Sequence, residues 1–170
     1  MGAGKQFLQV GTLLHQQGVG ADAGVSQLLA HEEPAILLDM VSSFGAGYLE
    51  AQVKHDKKSL YSDEHGNVPA WVGLEYMAQA IEAYAGIESL KENKPVRIGL
   101  LLGTSRYKVF TELFRKSRPV TIKVQEVFRD EKNVALFDCK ILECQTGQLL
   151  ATAHIKAILP ENIDEIIGES

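Results

Sequence analysis

The stretch PAWVGLEYMAQAIEAYAGIESLKE, residues 69–92, decides how the chain folds. It is filled with Ala, Glu, Met and Leu, which are strong helix formers, and Pro69 suits a first helical turn. Asn67 stands where a cap would stand, and Pro95 follows the far end. The pattern predicts one helix from Pro69 to about Glu92. On a helical wheel Glu75, Gln79, Glu82 and Gly86 fall in a single narrow stripe. Leu74, Met77, Ile81, Tyr84 and Ala85 cover the opposite side and one flank, and Val72, Tyr76 and Ala83 cover the other. A helix apolar over most of its circumference belongs inside a fold. Ala78, Ala80, Ala83, Ala85 and Gly86 are small enough to let other backbone approach closely.

Upstream of the helix, residues 35–44 are apolar and strand-like, and Gly45-Ala46-Gly47 supplies a turn. Residues 48–55 alternate Leu49, Ala51 and Val53 with Glu50, Gln52 and Lys54, so 35–55 reads as a β-hairpin. Residues 57–68 form a polar loop. Downstream, four strands are expected at 96–109, 119–129, 133–143 and 148–159, with turns at 130–132 and 145–147. In the third of these, Ala135, Phe137, Cys139 and Ile141 share one face, and Leu136, Asp138, Lys140 and Leu142 share the other. Two strands, one long helix and four strands make an α+β fold. The helix must bury itself on the concave side of an antiparallel sheet of about six strands. A short helix is expected over residues 25–30. Residues 1–24, rich in Gly, Gln and Ala, read as a flexible N-terminal extension, 25–160 as the domain, and 161–170 as an acidic C-terminal tail.

Composition narrows the function. The chain has 170 residues, 45% hydrophobic and 23% charged, as one globular domain should. With 17 basic and 22 acidic residues the net charge is −5, which argues against nucleic acid as a partner. Cys139 and Cys144 match no zinc or redox spacing, and along one strand they point to opposite faces. Two reduced thiols suit a cytoplasmic protein. No apolar run approaches the ~20 residues of a membrane span, and no signal peptide is evident. Neither a metal nor a cofactor is expected.

The chemistry centres on the start of the helix. Glu75 lies in its first two turns beside Trp71, Val72 and Leu74. A carboxyl desolvated there would hold its proton near neutral pH and could deliver it. The N–H groups of Ala70 and Trp71, at the positive end of the helix dipole, could hold an enolate oxygen. Gln79 shares the stripe and would also face substrate. The alternative is a solvated polar edge, which is the expected state of Glu82.

These residues resemble a known family. The segment Pro69 to Ala80 resembles the central helix of the FabZ/FabA 3-hydroxyacyl-ACP dehydratases, in which a proline-led turn enters the helix and the acid is followed by Met-Ala-Gln. The segment His31 to Asp39 resembles the His-x-x-Pro…Leu-x-Asp run that opens the first strand in FabZ. With Arg97 to Thr104 and Phe137-Asp138-Cys139, the similarity is to the ApeP-like branch, hotdog proteins that accompany fatty-acid-like or aryl polyene biosynthesis. It spans about residues 27–159.

The resemblance implies a hotdog fold, a long helix wrapped by a curved sheet. It also implies dehydration of 3-hydroxyacyl thioesters carried on acyl carrier protein, and Glu75 as the acid. Two positions depart from the family. Counting back from Glu75 by the family's spacing reaches Tyr61 rather than the histidine of a Gly-His-Phe-Pro turn, and Ala70 replaces the glycine after the proline. His65, His31 and Asp63 are the candidates to supply the missing group. His15, His55 and His154 have no supporting context.

Three functions stay open: dehydration, thioester hydrolysis with Glu75 or Asp63 activating water, and a non-catalytic acyl-binding subunit that partners an active dehydratase. A homodimer, or a heterodimer with another hotdog chain, is implied, with the site at the seam. Acyl carrier proteins are acidic, so docking needs a local basic patch. The densest one holds Arg106, Lys108, Arg115, Lys116 and Arg118 against the single acid Glu112.

Overall fold

The computed structural model describes residues 24–29, 33–96 and 99–160. Its elements are β1 (Met40–Gly45), β2 (Tyr48–Val53), β3 (Val68–Pro69), α1 (Gly73–Lys91), β4 (Leu100–Val109), β5 (Leu113–Phe114), β6 (Val120–Arg129), β7 (Val134–Glu143) and β8 (Leu149–Ile158). Six strands form one antiparallel sheet in the order β1-β2-β6-β7-β8-β4. α1 packs on it, chiefly against β2, β6 and β7.

The period-two pattern explains which face of the sheet receives the helix. Leu49, Ala51 and Val53 of β2, Val120, Ile122 and Val124 of β6, and Ala135, Phe137, Cys139 and Ile141 of β7 are all buried. Ala151, Ala153, Ile155 and Ala157 of β8 join them. Small residues on β8 and along α1 let helix and sheet approach closely.

The helix is also covered on its far side, and this overturns one expectation. Glu82, expected at a solvated edge, is only 7% exposed, and Gln79 is 1% exposed. The cover comes from residues 25–29 and 33–39. A Cβ on Gly86 would meet the Leu28 carbonyl oxygen at 2.7 Å, so the early segment crosses the helix at a point only glycine allows. Gln79 Oε1 accepts from Leu37 N–H at 2.9 Å, and Gln79 Nε2 donates to the Ala35 carbonyl at 2.8 Å. Backbone at 35 and 37 is therefore committed to the helix. For that reason β1 begins at Met40 instead of residue 35.

The start of the helix differs as well. Asn67 does not cap it, because its Oδ1 accepts the Lys116 N–H at 3.0 Å. β3 and β5 form a two-residue ribbon, and a 3-10 turn over Ala70–Val72 leads into α1. A side chain at Gly73 would meet the ends of the Tyr107, Ile141 and Phe114 side chains, which would have to shift to admit it.

β4 is unlike its neighbours. It pairs on one side with β8 through two register shifts, and it ends the sheet. Most of its residues are exposed, and Leu101 (52%), Leu102 (50%) and Val109 (46%) present apolar surface to solvent. Cys139 is buried, which pushes its thiol well up, while Cys144 is exposed; both are free. Among the described residues no helix is long and apolar enough to cross a membrane, and no group of three or more His, Cys, Asp and Glu could hold a metal.

Candidate active site

Glu75 is partly buried in the first turn of α1, and Gln79 Nε2 lies 3.4 Å from its Oε1. Because Gln79 is already anchored to residues 35 and 37, it acts as a fixed post beside the carboxylate. The Ala70 N–H, expected to be free for an oxyanion, donates instead to the Glu112 carbonyl at 3.0 Å. The Ala70 carbonyl accepts the Tyr107 hydroxyl. Trp71 is 61% exposed and meets Tyr61 edge to face at 5.4 Å. This aromatic pair stands at the helix start with nothing covering it among the described residues.

The loop candidates are drawn into a turn. Asp63 Oδ1 accepts the N–H groups of His65 at 2.8 Å and Asn67 at 2.9 Å. The N–H groups of Asn67 and His65 hold its carboxyl below the usual range, so it is an acceptor or base at neutral pH and not a proton donor. His65 is exposed, and its Nε2 lies 3.4 Å from Glu64. His65 and Asp63 share a cleft with His55, Lys57, Lys58 and Lys116, and Glu75 does not line it. His31 lies outside the described residues.

The structure brings forward a histidine that the sequence reading set aside. His55 is 5% exposed and has left-handed backbone, φ 56°. Its Nδ1 is 2.9 Å from the Arg118 carbonyl and its Nε2 is 3.0 Å from the Tyr76 hydroxyl. Phe114 stacks on the ring, with centroids 5.8 Å apart. The Ser117 N–H donates to its carbonyl at 2.8 Å. Burial pushes its pKa below 6.5, so the neutral ring is favoured. The signal was available: residue 55 continues the inward series of Leu49, Ala51 and Val53.

The basic residues are exposed but do not form one stripe. Arg106 and Lys108 lie on the edge strand β4, with Arg106 in a left-handed bulge. Lys116 packs against Gly66 in the Asp63 turn, and Arg118 Nη1 lies 3.9 Å from Glu143 Oε1.

One long helix against a six-stranded antiparallel sheet, with its polar stripe turned toward a cover segment, defines a hotdog protein. The ApeP-like family model, described as ApeP dehydratase, matches residues 23–168. The chain belongs to that family. Among solved structures, it is similar to the dehydratase heterocomplex ApeI:P from Xenorhabdus doucetiae, at 24% identity and TM-score 0.77, covering 87% of this chain and 99% of that one. The zebra fish thioesterase superfamily member 2 matches at 11% identity and TM-score 0.58, over 88% and 95% of the two chains. The E. coli PaaI protein from the phenylacetic acid degradation operon matches at 10% identity and TM-score 0.54, over 91% and 93%. At these identities the structures speak for the fold. No curated protein sequence matches the chain.

Proposed function

We propose that this chain dehydrates 3-hydroxyacyl thioesters carried on acyl carrier protein, in fatty-acid or polyene-type biosynthesis, and does so paired with a second hotdog chain. The observation that carries the reading is the carboxyl group of Glu75, partly buried at the start of α1 and steadied by Gln79, whose own bonds are fixed to backbone. In this reading Glu75 protonates the leaving hydroxyl, and a base removes the α-proton. Trp71 flanks the thioester, and acceptance of the enolate oxygen falls to N–H groups of the first turn beyond Ala70.

A second chain is called for on two grounds. Neither cleft that contains His55 includes Glu75, so this chain by itself does not join its acid to a base there. Among the described residues β4 has a long edge without a strand partner and with apolar residues along it, a surface suited to strand addition. The ApeI:P structure is itself a heterocomplex, which favours a different hotdog chain over a second copy.

Arg106, Lys108, Arg115, Lys116 and Arg118 would meet the acidic carrier and the phosphate of its pantetheine arm. The test is an assay with a 3-hydroxyacyl carrier protein, for the chain alone and with its partner, read for enoyl product and for free acid. Enoyl product supports dehydration, and its absence under both conditions removes that reading. The thioesterases among the structural neighbours give hydrolysis a place as the second reading, and free acid as the main product would select it.

A further inference from the structure

The convex face of the sheet, turned away from α1, is polar over most of its length. Tyr48, Glu50, Lys123, Gln125, Asp138 and Lys140 line a hollow on it, and His154 and Lys156 continue it on β8. One end differs. Phe128 stands opposite Leu136, Val134 opposite Ile158, and Ile158 in turn opposite Leu100. Directly opposed residues share a face of the sheet. Ala135 and Phe137 are buried toward α1, so Val134 and Leu136 point outward, and their partners with them. The result is an apolar stripe across β6, β7, β8 and β4. Phe128 is 55% exposed, and the other four are less exposed but not buried. Apolar residues gathered on a solvent face mark a surface that something covers.

The chain itself continues from this place. The Leu159 N–H donates to the Asn133 carbonyl at 2.9 Å and Pro160 is buried, so the chain leaves the sheet beside Ile158, at the stripe. The next residues are ENIDEIIGES, 161–170. Ile163, Ile166 and Ile167 have the i, i+3, i+4 spacing of one helical face, and Glu161, Asp164, Glu165 and Glu169 fall on the other side. Three strand spacings make the stripe about 14 Å wide. Ten residues in a helix span about 15 Å. Charge agrees with the fit. Lys156 stands opposite Leu136 on the β7–β8 ladder. Glu50 is engaged by Lys123 at 3.0 Å and Asp138 by His154 at 2.6 Å, while Lys140 and Lys156 add positive charge to the face. The family model, moreover, runs past Pro160 to residue 168, so these residues carry a pattern of the family.

We propose that residues 161–170 cover this stripe on their own chain, with Ile163, Ile166 and Ile167 against it and the acids toward Lys156 and solvent. The segment is then a cap on a sheet face that would otherwise be open to stacking by another sheet. It makes no use of Glu75, and it stands or falls apart from the dehydration reading.

The experiment uses the full chain with Glu165→Cys and Cys144→Ser, carrying a nitroxide on residue 165; Cys139 is buried and escapes labelling. Amide NMR signals of the isotope-enriched chain are compared with the nitroxide oxidised and reduced. We expect the amides of residues 128, 134, 136 and 158 to lose most of their intensity, and those of residues 64–66, beyond the other end of β6, to keep theirs. Adding Ile166→Asp and Ile167→Asp should restore the lost intensity, with unchanged shifts at Ala135 and Phe137 reporting an intact core. A mixture of labelled chain without isotope and enriched chain without label tests for a second copy. Losses of the same size in that mixture would give the stripe to another copy and overturn the proposal. So would full intensity at the stripe, losses confined elsewhere, or losses that survive the double substitution. The first comparison stands even if the doubly substituted chain fails to fold.

Discussion

The two ends of α1 handle polar groups in opposite ways. At its start, Gln79 and His55 are tied to backbone carbonyls and N–H groups, the Tyr76 hydroxyl meets the His55 ring, and Tyr76 and His55 line a cleft. At its far end, Arg129 donates to Glu126 at 2.6 Å and to Glu88 at 2.8 Å, and the Tyr84 hydroxyl bonds to both carboxylates. That network closes on itself and clamps the helix to β6. Its charges are matched within the network, with one guanidinium between two carboxylates. The start holds its side chains in place beside a cleft. A helix can serve as a structural beam at one end and as a reactive platform at the other.

The largest expected effect tests that division directly. Glu75→Gln should lower enoyl formation by about a hundredfold or more, the usual worth of a general acid, with the unfolding midpoint nearly unchanged. Glu88→Gln, at the clamp, should keep its turnover. Similar kinetics in the two variants would erase the contrast.

Next comes the clamp itself. Arg129→Met leaves two carboxylates crowded around Tyr84 without their cation, in a site that is only partly exposed. Urea unfolding should show a loss of about 2 kcal/mol, between the values for exposed and buried pairs, with turnover per folded molecule retained.

A smaller effect should follow reversal of Arg115, Lys116 and Arg118 to Glu. Turnover of carrier-bound substrate should fall by about tenfold at low salt and less at high salt, because rim charges act mainly on association and are screened. A short soluble thioester should be almost unaffected. Equal loss on both substrates would assign these residues to the fold.

The smallest effect is the most specific to the start of the helix. The folded-state pKa of His55 lies below 6.5, so its contribution to stability is complete above 6.5 and fades as pH falls through the folded value. Cooling the effect to a single residue requires a comparison: the unfolding midpoint of the unmodified chain should drop more between pH 7 and pH 5 than that of His55→Gln. Parallel curves would show that the ring titrates without strain.

Much of the fold was legible because it rests on local periodicity. The alternations in β2 and β7 and the all-round apolar helix needed no knowledge of distant residues. What failed to show was non-local. Glu82 and Gln79 look like a solvent edge on a wheel, and the crossing of residues 25–29 and 33–39 covers them. β3 and β5 are two residues each, too short for any period to register. Asn67 has the chemistry of a cap, but the Lys116 N–H, 49 positions away, claims it. Glu75 was a candidate from sequence because a carboxyl group in a narrow stripe is visible there, and the structure places it partly buried beside Gln79. His55 was overlooked because a polar residue closing an apolar series looks like a strand end, although its parity placed it inside.

The edge of β4, unpaired among the described residues, carries a further consequence if the proposed pairing holds. A ten-residue strand paired on only one side among the described residues is an invitation to any extended polypeptide, including misfolded neighbours in a crowded cell. Two features blunt it. Register shifts at Leu101/Gly103 and Ser105/Lys108 break the flat ladder, and Arg106 and Lys108 place charge along it. A generic strand cannot zip past two bulges without losing hydrogen bonds, whereas a strand with matching interruptions can. The edge therefore behaves as a keyed connector. A counterpart cut to the same pattern, as in the proposed pairing, would take up the whole strand.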